Sequence, residues 1–212
     1  MSLEFNTFVS KLAARLEFPL PGPAAHEPMR ATPSGQLRPD FQHKLPPKPG
    51  SVLILLYPDE GRIKFPLTKR AEYNGAHSGQ VSFPGGKSEG SETRTDTALR
   101  EGEEEIGITR GDITVIGKLT EFFVIPSNFI ITPIVAYQSS KPAFRPDPFE
   151  VVRVLEASIE DILDEASIHV KEITAAKVYQ LMAPHFIVEN EIVWGATAMM
   201  LNEFRLVVKE IL

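Results

Sequence analysis

"GGKSEGSETRTDTALREGEEEIGI" runs from Gly85 to Ile108 and places four carboxylates, Glu101, Glu103, Glu104 and Glu105, within five positions just before Gly107. That is an awkward place for acids. The last turn of a helix carries the negative end of the macrodipole, and like charges three or four residues apart repel. Yet the segment reads as a well-bounded helix over about 92 to 106. Ser91 suits the N-cap and Glu92 the first turn, while Gly107 can take the left-handed conformation and let Ile108 fold back onto the last turn. At about 100° per residue, Thr95, Leu99, Gly102 and Ile106 fall on one stripe, the side that faces a core. Glu101, Glu104 and Glu105 share the neighbouring stripe, and Glu103 points to solvent. Gly102 in the interior costs about 1 kcal/mol relative to Ala, which implies that a side chain there would hold the helix away from its support.

A solvated face is the common explanation for an arbitrary acidic run. Position argues against it here, because three acids converge beside the packed stripe at the unfavourable helix end. Arg100 can compensate one of them, not three. A divalent cation can, and carboxylate oxygens with no His or Cys nearby select Mg²⁺ or Mn²⁺ with several waters retained. Such a site keeps positions open for phosphate oxygens and water.

The rest of the chain supplies a frame for this helix. With 212 residues and 42% hydrophobic composition it can bury one sizeable core. A net charge of −6 and a pI near 5.5 argue against a surface built to follow nucleic acid. The absence of cysteine excludes disulfides, thiolate metal sites and a Cys nucleophile. No apolar run approaches the roughly 20 residues of a membrane span, and MSLEFNTFVSKLAARLEF lacks the form of a secretory signal, so no membrane contact and a cytoplasmic location are expected.

Along the chain, Phe5, Phe8, Val9, Leu12 and Leu16 predict a short amphipathic helix. Nine of the 18 prolines lie between Pro19 and Pro49, which predicts an extended, partly mobile arm, and the N-terminal helix and arm (1–48) are set apart from the main domain (49–212). SVLILLYP (51–58) and IKFPLTKR (63–70) predict a hairpin across DEGR, and HSGQVSF (77–83), ITVIGKL (113–119) and FIITPIVAY (129–137) predict further strands. PDPFEVVRVLEASIEDILDE (146–165) reads as a loop leading into a strand or helix. SIHVKEI, VYQLMAPHFIV and EIVWG read as extended, with a turn at Glu189 and Asn190, and ATAMMLNEFRLVVKEIL as a terminal packing helix. Strands around one central helix, closed by another, suggest a mixed sheet between helices, an α/β/α sandwich.

Gly86, five residues, Glu92, seven residues, then Arg100-Glu101-Gly102-Glu103-Glu104-Glu105-Ile106-Gly107-Ile108 resembles the Nudix box, GX5EX7REUXEEXGU with U aliphatic. All seven fixed identities match, and Gly102 stands at an aliphatic position. The resemblance implies a Nudix-type α/β/α sandwich that hydrolyses a nucleoside diphosphate linked to another moiety. By position it makes Glu101, Glu104 and Glu105 ligands of Mg²⁺ or Mn²⁺ and has Arg100 orient a carboxylate of the helix. Glu104 is the choice for general base, with Glu150 in the PDPFE loop as the other candidate.

LTKRAEYNGAHSGQVSFPGG (67–86) resembles the added signature of coenzyme A pyrophosphatases, LLTXRSX3RX3GX3FPGG. Leu67, Thr68, Arg70, Gly79, Phe83, Pro84, Gly85 and Gly86 match; Ala71 stands for Ser, Pro66 for Leu and Gly75 for Arg. The implied substrate is therefore coenzyme A or an acyl derivative, and a homodimer is expected on the same ground. ADP-ribose or nucleotide-sugar hydrolysis, favoured by Gly75, is the alternative; a silent nucleotide sensor and an RNA-end hydrolase rank lower. Pro84-Gly85-Gly86 can end a strand, and beside a metal helix Gly85 and Gly86 can also bring backbone close to an ion or phosphate. Lys69 and Arg70 point to opposite faces of a strand, and Arg70 is the choice for reaching phosphate. Asn128 and Phe129 are assigned to the pocket, Phe129 equally to the core. His77 reads as an ordinary surface or core residue, and Trp194 as a core or helix-entry residue.

Overall fold

The run SVLILLYP has no polar face, and the structure buries it on both sides. The computed structural model describes residues 3–38, 40–71 and 79–212. Helices α1 (Leu3–Leu16) and α2 (Pro23–His26) precede strands β1 (Thr32–Pro33), β2 (Lys48–Asp59) and β3 (Arg62–Arg70). Next come β4 (Val81–Ser82), β5 (Gly85–Lys87), α3 (Arg94–Ile106), β6 (Thr114–Lys118), β7 (Phe122–Val124) and β8 (Phe129–Tyr137). Then β9 (Val151–Ser158), α4 (Ile159–Leu163), β10 (His169–Ala175), β11 (Tyr179–Val188), β12 (Glu191–Trp194) and α5 (Gly195–Lys209) follow.

Eight strands make a mixed sheet ordered β4-β3-β2-β8-β6, with β5 beside β2, β7 beside β8 and β9 beside β3. β2 and β8 are parallel, while β2 and β3 form the expected hairpin, closed at Glu60 and Gly61 with φ of 49° and 78°. Two central residues with positive φ match the twist of the flanking strands. The period-2 alternation of β2 divides the core. Leu53 and Leu55 meet Ala98, Leu99 and Ile106 of α3, whereas Ile54 and Leu56 face the cluster holding Phe5 and Leu12 of α1 and Phe204 of α5. Helices thus cover both faces, giving the α/β/α sandwich. β1, β11, β10 and β12 form a separate antiparallel sheet, whose turn at Glu189 and Asn190 has φ of 47° and 67°.

Three expectations shift. The N-cap of α3 is Thr93, not Ser91: Thr93 and Asp96 exchange side-chain and backbone bonds in a full capping box. Of HSGQVSF only Val81–Ser82 is strand among the described residues; His77, like Gly75, lies outside them. The Pro-rich stretch is not extended throughout, since Pro23–His26 is helical, and it is held to the body, with Ala25, His26 and Met29 buried and Thr32–Pro33 paired with β11. Among the described residues no helix is long and apolar enough to cross a membrane.

Candidate active site

Helix α3 lies close to β2 because Gly102 has no side chain: a Cβ there would stand 2.7 Å from Ile108 Cδ1 and 3.0 Å from Leu53 Cδ2. Gly107 ends the helix at φ 69°, and the loop after Phe144 takes over the orphan carbonyls, Arg145 N–H donating to Ile106 O at 2.9 Å and Asp147 N–H to Glu105 O at 3.0 Å. This clasp brings Glu150, an exposed residue, within electrostatic reach of Glu101 and Glu105.

The four acids of the last turns have four fates. Glu103 is exposed and accepts from Arg110 N–H at 3.0 Å. Glu104, 59% exposed, accepts from Arg100 Nη1 at 2.8 Å. Glu101 is half-buried, receives the same Nη1 at 2.9 Å, and is pushed up in pKa by burial against the pull of Arg100, with Glu104 and Glu150 adding to the rise. Glu105, 2% exposed, accepts from Arg70 Nη1 at 3.0 Å and from Gly85 N–H at 3.1 Å. Burial pushes its pKa up to about 7, Arg70 and Gly85 oppose the rise, and Glu101 and Glu150 add to it.

Arg100 orients more than one carboxylate. Its Nε and Nη2 grip Glu92 at 2.7 and 3.2 Å, and Nη2 also reaches Lys87 O at 3.0 Å. Glu92 is held down at about 2 by that guanidinium, helped by Glu89 N–H and Thr97. The first and fourth fixed residues of the motif sequence are joined as well, since a Cβ on Gly86 would overlap the Glu101 carboxylate. Gly85 has no more room, because a Cβ there would fall on Ser51 O and Val52 Cα. Both glycines of the loop are thereby explained by close approach.

Whether these residues suit a divalent ion can be judged from the donors. They are carboxylate oxygens only, as hard ions require; Glu101 and Glu150 add to the cost of ionising the buried Glu105, and Glu104 and Glu150 to that of the half-buried Glu101, which a cation would relieve. Among the described residues, however, no three acidic or imidazole side chains form a ready cage, because Glu104 is turned to Arg100. The donor chemistry fits a hard ion, and Glu104, 59% exposed, is engaged by Arg100.

Of the residues assigned to substrate, Arg70, Gly85, Gly86 and Phe129 line one cavity of about 590 Å³. Arg70 sits between that cavity and Glu105, with its buried Nε lacking an acceptor. Asn128, in the left-handed region at φ 57°, spends its side-chain amide on Leu45 and Pro46 carbonyls at 3.1 and 3.4 Å. Phe129 is half-buried with Lys48 Nζ 5.8 Å from its ring centre. Lys69 pairs with Glu191 at 2.8 Å, and Trp194 stands at the entry of α5 as expected. A second hollow of about 410 Å³, lined by Lys69, Lys171 and Trp194 among others, touches none of the α3 acids. Sequence reasoning missed Arg30, Pro33 and Phe41 in the main cavity wall; a Pro-rich arm carries no periodic signal that would reveal them.

Residues 47–179 match the NUDIX domain family. Nudix hydrolase 3 of Caenorhabditis elegans is 32% identical over 168 residues, covering 72% of this chain and 70% of that protein. Chloroplastic Nudix hydrolase 22 of Arabidopsis thaliana is 35% identical over 164 residues, covering 73% of this chain and 53% of that protein, so the chain spans about half the length of that relative. The crystal structure of a MutT/nudix family protein from Enterococcus faecalis shares the fold, with a TM-score of 0.50 at 14% identity over 82% of this chain and 66% of that one. Members of this family generally use divalent metal ions, and with most of its length inside the match the chain belongs to the Nudix hydrolases and is a pyrophosphohydrolase.

Proposed function

We propose that this pyrophosphohydrolase cleaves the diphosphate linkage of coenzyme A or an acyl derivative, releasing adenosine 3′,5′-bisphosphate and (acyl-)4′-phosphopantetheine, with Mg²⁺ or Mn²⁺ as its ion. The supporting observation is that the two described ends of the LTKR…FPGG segment meet on the acidic helix: Arg70 from one and Gly85 from the other hold the same Glu105 carboxylate at 3.0 and 3.1 Å.

Glu101, Glu104 and Glu105 would hold the ion, which when bound supplies positive charge to offset the diphosphate and a more acidic water. Arg100 positions Glu101 and Glu104 through shared charge-assisted bonds and is itself fixed by Glu92. Arg70, which lines the cavity and pairs with Glu105, takes a phosphate oxygen through its guanidinium. Gly85 and Gly86 keep the loop close enough for that contact. Water attacks one phosphorus in line as the bond to the bridging oxygen breaks, and Glu104 accepts the water's proton, Glu150 being the other candidate. Phe129 shapes the pocket wall, and Asn128 acts there by tying down residues 45–46. Residues 49–212 are proposed as the catalytic domain, with 1–48 as an extension packed on it, in a cytoplasmic homodimer.

The test is a panel of coenzyme A, ADP-ribose, diadenosine polyphosphates and dNTPs with Mg²⁺ or Mn²⁺. Preferred turnover of coenzyme A or its thioesters is expected. Preference for ADP-ribose or another nucleoside-diphosphate derivative would overturn the substrate, and tight binding without hydrolysis would overturn the catalytic role.

A further inference from the structure

Part of the main cavity's wall comes from outside the NUDIX match. Arg30, Ala31, Pro33 and Phe41 line it, although the match begins at residue 47. The arm is fastened along the rim. Thr32 and Pro33 pair with Met182 and Leu181 of β11, and the Phe41 ring stands edge-on to Tyr179 at 6.5 Å. His43 Nε2 lies 2.5 Å from Ile125 O, and Asn128 holds the Leu45 and Pro46 carbonyls. Phe123, Phe129 and Ile131 also line it, with Phe83 and Met200 contributing apolar surface. Phe41 and Phe123 are 39% and 42% exposed, unusual for large apolar side chains that share one hollow.

The chemistry of this chamber does not suit a diphosphate or a ribose. At about 590 Å³ it is the size of a small-molecule pocket, roughly 300–1,000 Å³, and its polar end is Arg70 with Gly85 and Gly86, the boundary of the acidic site. Apart from Arg30, Gln80, Ser82, Ser127 and Thr197 the lining is mostly apolar, which suits an apolar group covalently continuous with a diphosphate placed at that boundary by the reading above. We infer that the arm around Phe41, together with Phe123 and Phe129, seats the acyl chain of an acyl-coenzyme A, so that the N-terminal extension makes the enzyme selective for longer thioesters over free coenzyme A. This rests on the coenzyme A reading above. Each methylene that enters the chamber is expected to lower KM about fourfold until the space is filled.

The experiment compares free, acetyl-, hexanoyl- and decanoyl-coenzyme A on the full chain in two formats: hydrolysis with Mg²⁺ or Mn²⁺, and calorimetric binding in EDTA. Both are expected to strengthen with chain length, kcat/KM through KM. Phe41→Asp is expected to cut the decanoyl-to-free ratio at least tenfold, Phe41→Leu to preserve most of it, and Phe123→Asp, from another element of the same lining, to act like Phe41→Asp should the first variant fold poorly. Hydrolysis of coenzyme A with a flat chain-length profile overturns this inference and leaves the substrate reading standing. If no coenzyme A thioester is hydrolysed, the substrate reading fails, and binding in EDTA decides the chamber: affinity that rises with chain length upholds an apolar seat, and affinity that does not removes it.

Discussion

Glu105 and Glu203 are both glutamates shut inside the protein, 2% and 0% exposed, and both stand beside a potential cation, yet they are treated in opposite ways. Glu203 on α5 receives three bonds: Gly22 N–H at 2.9 Å, Thr120 Oγ1 at 2.6 Å and His26 Nε2 at 3.0 Å. Burial would raise its pKa, but His26, Thr120 and Gly22 outweigh burial and hold it below the ordinary range. Glu105 has Arg70 and one backbone N–H, faces the charges of Glu101 and Glu150, and is pushed up to about 7. A buried carboxylate with a donor on each oxygen, three in all, is part of the frame. One that is under-compensated beside further acids is, on the function proposed above, the one that a bound cation would complete.

The comparison breaks first on stability. Glu203→Ala strands Gly22, Thr120 and His26 without an acceptor and should cost about 3–5 kcal/mol, read from urea unfolding by the fluorescence of the single Trp194. A loss below 1 kcal/mol would show that these bonds are dispensable. Glu105→Gln should behave in reverse. Metal-free stability should stay within about 1 kcal/mol of the parent, because a costly buried charge is removed, while kcat should fall by more than the roughly 10–100-fold typical of outer-shell losses. Retained turnover would remove Glu105 from the site.

Acid sharpens the same contrast. The folded pKa of Glu203 lies below its ordinary 4.5, so the unfolded chain binds the proton more readily. The stability this group contributes is complete above pH 4.5 and drains away as pH falls through the lower folded value. Glu203→Gln should therefore start less stable and lose less between pH 6 and about pH 3 than the parent in paired urea series. Equal pH slopes would mean that other carboxylates govern acid unfolding.

The acidic helix was legible because its signals are local: Gly107 stops it, Gly102 marks its closest approach, and the spacing of acids follows from helical geometry alone. A better reading of its start was also available, since Thr93 and Asp96 form a T-x-x-D pair that outranks Ser91. What periodicity could not supply is the direction of side chains at a shared stripe: Glu101 and Glu105 turn inward and Glu104 outward, a choice made by Arg100 and by the Gly85 loop. The arm was misread for a different reason. Nine prolines describe a chain poor in backbone donors, but its docking depends on partners far along the sequence, such as Asn202 Nδ2 on Ala25 O at 2.7 Å and Glu203 on His26. The second sheet escaped as well, because strands that read alike locally join whichever neighbour long-range packing selects.

The smallest expected effect lies under Glu105 itself. Its contact with Gly85 requires α3 to sit close on β2, and Gly102 is the point of closest approach. Gly102→Ala gains about 1 kcal/mol of helix propensity and loses about 1–3 kcal/mol to crowding against Ile108 Cδ1 and Leu53 Cδ2. Ile108 meets the new methyl with the end of a flexible side chain and can yield, whereas Leu53 is wholly buried in the sheet, so the crowding should be at the lower end of that range but still win. A net loss of about 1 kcal/mol in urea unfolding is expected, with a several-fold rise in the metal concentration needed for half-maximal activity as Glu101 and Glu105 move off the Gly85–Gly86 loop. A stabilised variant with unchanged metal dependence would show that close packing at Gly102 has no bearing on how the buried acid is held.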